Sequence, residues 1–285
     1  MEALRQAVRR LYVPLLLLGV NGAAVAAVAA GRPEALAPLF AVALAFTFGA
    51  ERIAPHQPEW NRPRGDLGRD AVHAVVNELA SAVSLASIPL ATAALGSGPR
   101  WPAGWPFALQ VGLAILVFDL GITLAHCASH RVAWLWRFHA VHHSVTRMYG
   151  LNGLMKHPVH QGIEAFAGSA PLLALGLPFE VGLALAFCTA TQLLAQHANV
   201  DMRLGPWRGV LAVAAVHRFH HRASAELGDV NFGLFTTLGD RLLGTFHDAP
   251  RDAPFRSDEL GVAGDPGYPA AYLAQLAAPF RRRPA

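Results

Sequence analysis

From Leu11 to Ala30 the chain carries twenty residues of which only Asn21 is strongly polar. A bilayer core is crossed by about 20 apolar residues in a helix. Lipid offers no hydrogen bonds, so a segment of this kind must satisfy its own backbone groups, and a helix is the form that does so. Further apolar runs follow at Ala35–Ala50, Ala71–Leu95, Phe107–Ala125, Gly162–Leu177 and Phe179–Gln196. The fifth run is short and contains Pro171, so the last pair reads as either two spans or a re-entrant hairpin. The expectation is an all-α integral membrane protein with four to six transmembrane helices. Composition agrees: 15% of residues are charged and the mean hydropathy is +0.33, against about 25% charged in soluble domains. No cleavable leader is evident, and the first run reads as a membrane anchor.

Charge sets the expected orientation. Twenty-two of the 23 basic residues are arginines, the exception being Lys156. With the N-terminus in the cytoplasm and spans alternating, only Arg32 and Arg100 fall outside; the other 21 fall inside. Such a bias follows the positive-inside rule. It places residues 126–160 and everything after residue 197 in the cytoplasm. The basic pI of 9.6 therefore reflects topology, not nucleic-acid binding. Three regions are expected: N-terminal transmembrane helices at 1–106, a histidine-rich domain at 107–248, and a cytoplasmic tail at 249–285. Trp101 and Trp105 suit the membrane interface, as do Trp134, Trp136 and Phe138.

Nine of the 14 histidines fall into short boxes. His126 and His130 are four apart. His139, His142 and His143 form H-x-x-H-H, and His217, His220 and His221 repeat it; His197 stands between. Residues three and four apart share a helical face, so each box aims several imidazoles at one volume. Neutral imidazole is the commonest protein metal ligand. Nine ligands are too many for one tetrahedral ion and suit two, so a cytoplasmic helical cap holding a histidine-rich di-metal site is expected on the transmembrane helices. The two cysteines, Cys127 and Cys188, provide neither a disulfide framework nor a thiolate metal site. His56, His160 and His247 read as ordinary, and His73, four residues before Asn77, as packing or lining a cavity.

In order along the chain stand H-x-x-x-H at 126–130, W-R-F-H-x-x-H-H-S at 136–144, H-A-N at 197–199, H-R-x-H-H at 217–221, D-x-N-F-G at 229–233 and D-R-L-x-G-T at 240–245. The series resembles the fatty acid hydroxylase / sterol desaturase superfamily over roughly residues 110–248. Asp119 and His157-Pro158 fit the same pattern. The resemblance implies a membrane enzyme with two non-haem iron ions, zinc being a substitute in purified protein. It implies that O2 and electrons are used to hydroxylate or desaturate a lipid C–H bond. The nine boxed histidines would hold the metal, with Asp119, His157, Asn231 and Asp240 around them. The sequence departs from the family's pattern in three places. Cys127 stands for Arg in the first box, Tyr149 for Asn, and Met155-Lys156 replace an Arg before His157.

Nitrogen ligands suit iron, zinc and copper alike, but zinc has no redox chemistry. The chain has no nucleotide or haem motif and no four-cysteine cluster, so electrons are expected from an external ferredoxin- or cytochrome b5-like donor with its reductase. The leading expectation is a lipid hydroxylase. A desaturase using the same centre, or a membrane metal-binding protein without turnover, are the alternatives.

Overall fold

The computed structural model describes residues 1–95, 100–249, 257–262 and 264–281. The expected turn at 96–99 and Arg251, Arg256, Arg282 and Arg283 of the tail lie outside the described residues. Within them the chain is helical, with isolated β-bridges and no strand.

Helix α1 covers Glu2–Ala29. Pro14 lies inside it, and the next six residues, Leu15–Val20, widen into a π turn. Proline has no N–H for the carbonyl four residues back, and a π turn absorbs the fault without ending the helix. Helix α2 is Leu36–Ile53. The run expected as one helix at Ala71–Leu95 is two, α3 Leu67–Ala86 and α4 Ile88–Leu95, parted at Ser87. Pro89 explains the break, since its ring crowds the preceding turn and cannot bond the carbonyl of Leu85. Helices α5 Phe107–Arg131 and α6 Ala133–His143 meet at the extended residue Val132. Then follow α7 Pro158–Ala174, α8 Phe179–His197 and the short helices α9 Ala214–His217, α10 Leu238–Leu243 and α11 Tyr272–Ala277.

Five helical stretches are long and apolar enough to cross a membrane: Glu2–Ala29, Pro33–Ile53, Leu67–Ala94, Phe107–Arg131 and Phe179–His197. The 17-residue α7 is not among them. It presses against α5 where two glycines meet. A Cβ on Gly121 would stand 2.3 Å from the Ala167 carbonyl, and one on Gly168 would stand 2.5 Å from the Phe118 ring. Small residues at such a crossing let two backbones approach closely.

Helix α8 is the axis of the bundle, in contact with α1, α2, α3 and α5. The lone polar residue of the first run is satisfied there: the Thr191 hydroxyl donates to Asn21 Oδ1 at 2.6 Å. Buried polar ties also join the N-terminal helices to the histidine-rich half. Glu51 accepts the N–H groups of Gly150 (2.7 Å) and Asn199 (3.0 Å). Asp70 accepts the Tyr149 hydroxyl at 2.8 Å and Asn152 Nδ2 at 3.0 Å. Arg147 forks onto both oxygens of Asp66 at 2.6 and 2.9 Å, and Arg9 pairs with Asp201. One apolar cluster, including Tyr12, Ala43, Leu154, Leu194 and Val213, runs across both halves. Of the two tryptophans before α5, Trp105 is exposed, whereas Trp101 is buried and donates to Gln110 Oε1 at 2.7 Å.

Candidate metal centre

The nine boxed histidines lie at the ends of α5, α6 and α8 and along α9 with its following turn. They form two groups. His126, His130, His139, His143 and His220 make one; His142, His197, His217 and His221 make the other. Neither H-x-x-H-H box serves a single group. Its first and last histidines, four apart, point together, and the middle one turns to the other group. About 100° of helix rotation separates adjacent residues, so the fourth and fifth residues of each box cannot share a target as the first and fifth do.

The rings meet through Nε2. In the first group His126 Nε2 lies 3.0 Å from that of His139 and 2.9 Å from that of His220. His143 Nε2 is 3.0 Å from His139, 2.9 Å from His220 and 3.2 Å from His130. In the second, His197 Nε2 is 3.2 Å from His142 and 3.0 Å from His221, which is 3.2 Å from His217.

The opposite ring nitrogens decide what these approaches are. Nδ1 donates to a carbonyl in His126 (Phe232, 2.8 Å), His220 (Val230, 2.9 Å), His142 (Met155, 2.9 Å), His217 (Asn231, 3.3 Å) and His197 (Leu193, 3.1 Å). His130 Nδ1 donates to Asp229 at 2.8 Å. A neutral imidazole carries one proton, so Nε2 in these rings is a bare lone pair. The His126–His220 and His142–His197 approaches are therefore not hydrogen bonds but lone pairs facing a common point, an arrangement that a cation relieves. Ligands set at right angles about 2.1 Å from one ion lie about 3 Å apart, the spacing found here. The donor set fits metal binding.

Electrostatics agree. His139, His142, His143, His217, His220 and His221 are held well below the ordinary imidazole value, first by burial and then by neighbouring imidazoles. At neutral pH they are unprotonated, the form that ligates metal.

The segment Asp229–Phe232 holds four rings in order. The Asp229 carboxylate and the carbonyls of Val230, Asn231 and Phe232 each take one Nδ1–H. Asn231 has φ 56°, a left-handed conformation that asparagine tolerates better than most residues. Its amide is pinned on both sides, donating to the Val216 and His247 carbonyls and accepting the His247 N–H. Asp240 accepts the N–H groups of Phe232 and Gly233 at 2.7 and 2.8 Å. Asp119, expected beside His126, accepts the N–H groups of Leu234, Phe235 and Thr236 instead and acts through the same loop. His157 is placed differently from the expectation. It caps α7 by accepting the Val159 N–H, donates to the Leu276 carbonyl and packs on Phe138.

Several neighbours escape sequence reasoning. Trp136, read as an interfacial anchor, packs on His130 and His143 with ring centres 5.0 and 5.2 Å away. His160, read as ordinary, is fully buried, lies 4.4 Å from His139 ring to ring, and meets Ser129 at 2.9 Å. Beside it Lys156 pairs with Glu164. The signal available was spacing, since His160 and Glu164 are four apart on α7. His73 meets the Lys156 carbonyl and Gln275.

The fatty acid hydroxylase family profile matches residues 111–245. The chain is 35% identical to ornithine lipid hydroxylase OlsE of Rhizobium tropici over 243 residues, which cover 82% of this chain and 72% of the relative. The chain belongs to the fatty acid hydroxylase / sterol desaturase superfamily. Within that superfamily it is 29% identical to alkylglycerol monooxygenase of Danio rerio, over 51% of this chain and 31% of that one. It is 26% identical to a cholesterol 25-hydroxylase-like protein of Danio rerio, over 48% and 55%. No solved structure matches the chain. As a member of this superfamily it is a membrane-helix protein whose histidine clusters are compatible with metal binding, and its relatives oxidise lipids.

Proposed function

We propose that the chain is an O2-dependent di-iron hydroxylase that inserts one oxygen atom into an alkyl carbon of a membrane lipid. The observation that carries the reading is the convergence of nine imidazole nitrogens into two groups beside an apolar cavity, in a chain related to lipid hydroxylases. The first group would hold one iron through His126, His130, His139, His143 and His220, and the second group the other through His142, His197, His217 and His221. When bound, two irons supply the electrons that reduce O2 and the oxidising power that takes hydrogen from a carbon. The protein's own residues orient the rings, keep them unprotonated and hold bulk water away.

Substrate access fits this assignment. A cavity of about 420 Å³ lies among α3, α4, α5, α7 and α8. Its walls include Phe118, Ile122, Leu173, Leu185 and Leu193. Leu193 also takes the Nδ1 proton of His197, and Gly153, in the same wall, leaves room for that ring: a Cβ there would stand 2.9 Å from His197 Nδ1. An apolar chain entering from the bilayer therefore ends beside the second histidine group. Electrons would come from an external ferredoxin- or cytochrome b5-like donor with its reductase. The positive-inside bias supports the histidine groups and the tail facing the cytoplasm, where such donors act.

The test is mass spectrometry of lipids formed under isotopically labelled O2 with a reductase system. A product carrying one labelled oxygen is expected, and His142→Ala or His220→Ala should abolish it. An unlabelled double bond would instead favour the desaturase. Absence of any oxidised lipid from protein loaded with two irons per chain would overturn the enzyme reading in favour of a metal-binding protein.

A further inference from the structure

Trp207, Val210, Leu238, Leu242 and Leu243 are exposed, Leu242 by 72%, although they follow the last apolar run. Hydrogen bonds join them into one unit. The Thr237 N–H donates to the Val210 carbonyl at 2.9 Å. The Thr237 hydroxyl and the Arg241 guanidinium both donate to the Gly209 carbonyl at 2.7 Å. The turn at 205–210 is thereby tied along α10. Within α10, Gly239 and Asp240 are buried, while Leu238, Arg241, Leu242 and Leu243 are exposed.

The depth of this unit is set by α5. Asp119 holds the N–H groups of Leu234, Phe235 and Thr236, and a Cβ on Gly239 would stand 2.7 Å from the Thr123 side chain. Helix α5 starts at Phe107, two residues after the exposed Trp105, which suits the interface at the end away from the histidines. Asp119 and Thr123 lie 12 and 16 residues beyond Phe107, about 18 and 24 Å along the axis. The hydrocarbon core is about 30 Å thick, and tilt only lessens those heights. The loop at 234–236 and α10 therefore dock at the level of the leaflet on the histidine side, not beyond it. Leu116 and Leu124 of α5 bracket that level and are themselves exposed, so the apolar surface of the span and that of α10 share one depth. The polar members suit a head-group edge. The Arg241 guanidinium lies over the Phe246 ring at 4.2 Å, and Arg208 pairs with Asp248. Arginine buries its stem and keeps its charge in water, and tryptophan favours the same boundary.

We propose that residues 207–210 and α10 form a membrane-inserted patch. Leu238, Leu242 and Leu243 sit among acyl chains of the leaflet on the histidine side, with Trp207 and Arg241 at the head-group edge. The chain after His197 is then not wholly extramembrane. The patch follows directly on the segment Asp229–Phe232, so the element that orients four of the histidine rings is held between α5 and the bilayer itself.

The test uses the full chain in phosphatidylcholine vesicles, with a nitroxide on one introduced cysteine. Leu242→Cys and Leu238→Cys report on the patch. Leu124→Cys on α5 is the lipid reference, and Ala270→Cys, in the exposed part of the tail, is the water reference. All four positions are exposed, so the substitutions leave the core intact. Cys127 and Cys188 are buried, and the unaltered chain measures the labelling background. Two relaxing agents are compared: O2, which concentrates in hydrocarbon, and chromium oxalate, which stays in water. The labels at 242 and 238 should be relaxed by O2 and should lose relaxation by chromium oxalate, as the label at 124 does, while the label at 270 shows the reverse. Relaxation of the 242 and 238 labels by chromium oxalate to the extent seen at 270 would overturn the proposal. Protection from both agents would overturn it too, because protein, such as a second copy of the chain, would then cover this face in place of lipid.

Discussion

Asp229 shows how much a single residue outside the histidine boxes can carry. Its carboxylate accepts His130 Nδ1–H at 2.8 Å, although the side chain is 41% exposed. Of the six Nδ1–H groups with a described acceptor, His130 is alone in using a carboxylate where the others use backbone carbonyls. A carboxylate on the far nitrogen fixes the tautomer and makes the ligating nitrogen more basic. Asp229→Ala should therefore weaken metal binding about 10- to 100-fold while leaving the helices inserted. Competition with a chelator of known affinity measures it, and retention equal to wild type would remove Asp229 from the site. The six extramembrane imidazoles held down by burial give a second expectation at this scale. In the folded metal-free protein they stay neutral, whereas in the unfolded chain they take protons near the ordinary value of 6.5. Below that pH the unfolded state binds more protons, so stability must fall as pH falls from about 6.5 towards the lowered folded values. Thermal unfolding of metal-free protein between pH 8 and 5, those limits chosen about the imidazole range, should show a level unfolding temperature down to about pH 7 and a decline below about pH 6.5.

At the scale of elements, the centre depends on where helices stop. Val132 ends α5 so that α6 can fold back and bring His139 and His143 to His126 and His130. The glycine contact between α5 and α7 sets the depth at which His160 meets His139. Gly121→Val would drive a branched side chain into the Ala167 carbonyl, 2.3 Å from where its Cβ must sit. Overpacking of this kind costs about 1–3 kcal/mol, and a lower unfolding temperature in detergent with reduced metal content is expected. Much of this half was legible in the sequence because helical spacing and ligand chemistry are local properties. The boxes, the apolar runs and the polar motifs after residue 228 could all be seen in the letters. What could not be seen was pairing across distance. Nothing local says that His220 joins His126 rather than His217, or that Asp119 reaches the backbone of residues 234–236. His157 is expected around the ligands because His157-Pro158 fits the family's pattern, and that pair is what starts α7. The Ser87 break was signalled by Pro89 inside an apolar run that reads as continuous.

For the molecule as a whole, orientation is the first matter to test. Reporter fusions after residues 32, 100, 150 and 260 should read outside, outside, inside and inside, and an outside signal at 150 would reverse the arrangement. Both halves of the chain share one apolar core and the buried ties of Glu51, Asp70 and Arg147, so removing the N-terminal helices should cost the site as well as the anchor. The way each H-x-x-H-H box divides between the two groups has a thermodynamic outcome. An ion in the first group would immobilise His139 and His143 and with them the backbone that carries His142. The turn bearing His220 would likewise be fixed next to His221. The ordering entropy for the second ion would then already have been met, and by linkage the effect must be mutual. Loading should therefore be cooperative: iron titrated into metal-free protein should give few half-filled chains, and chelation should strip both ions together. The pair would behave as one switch, present or absent, and a cell short of iron would hold some chains fully loaded and others empty.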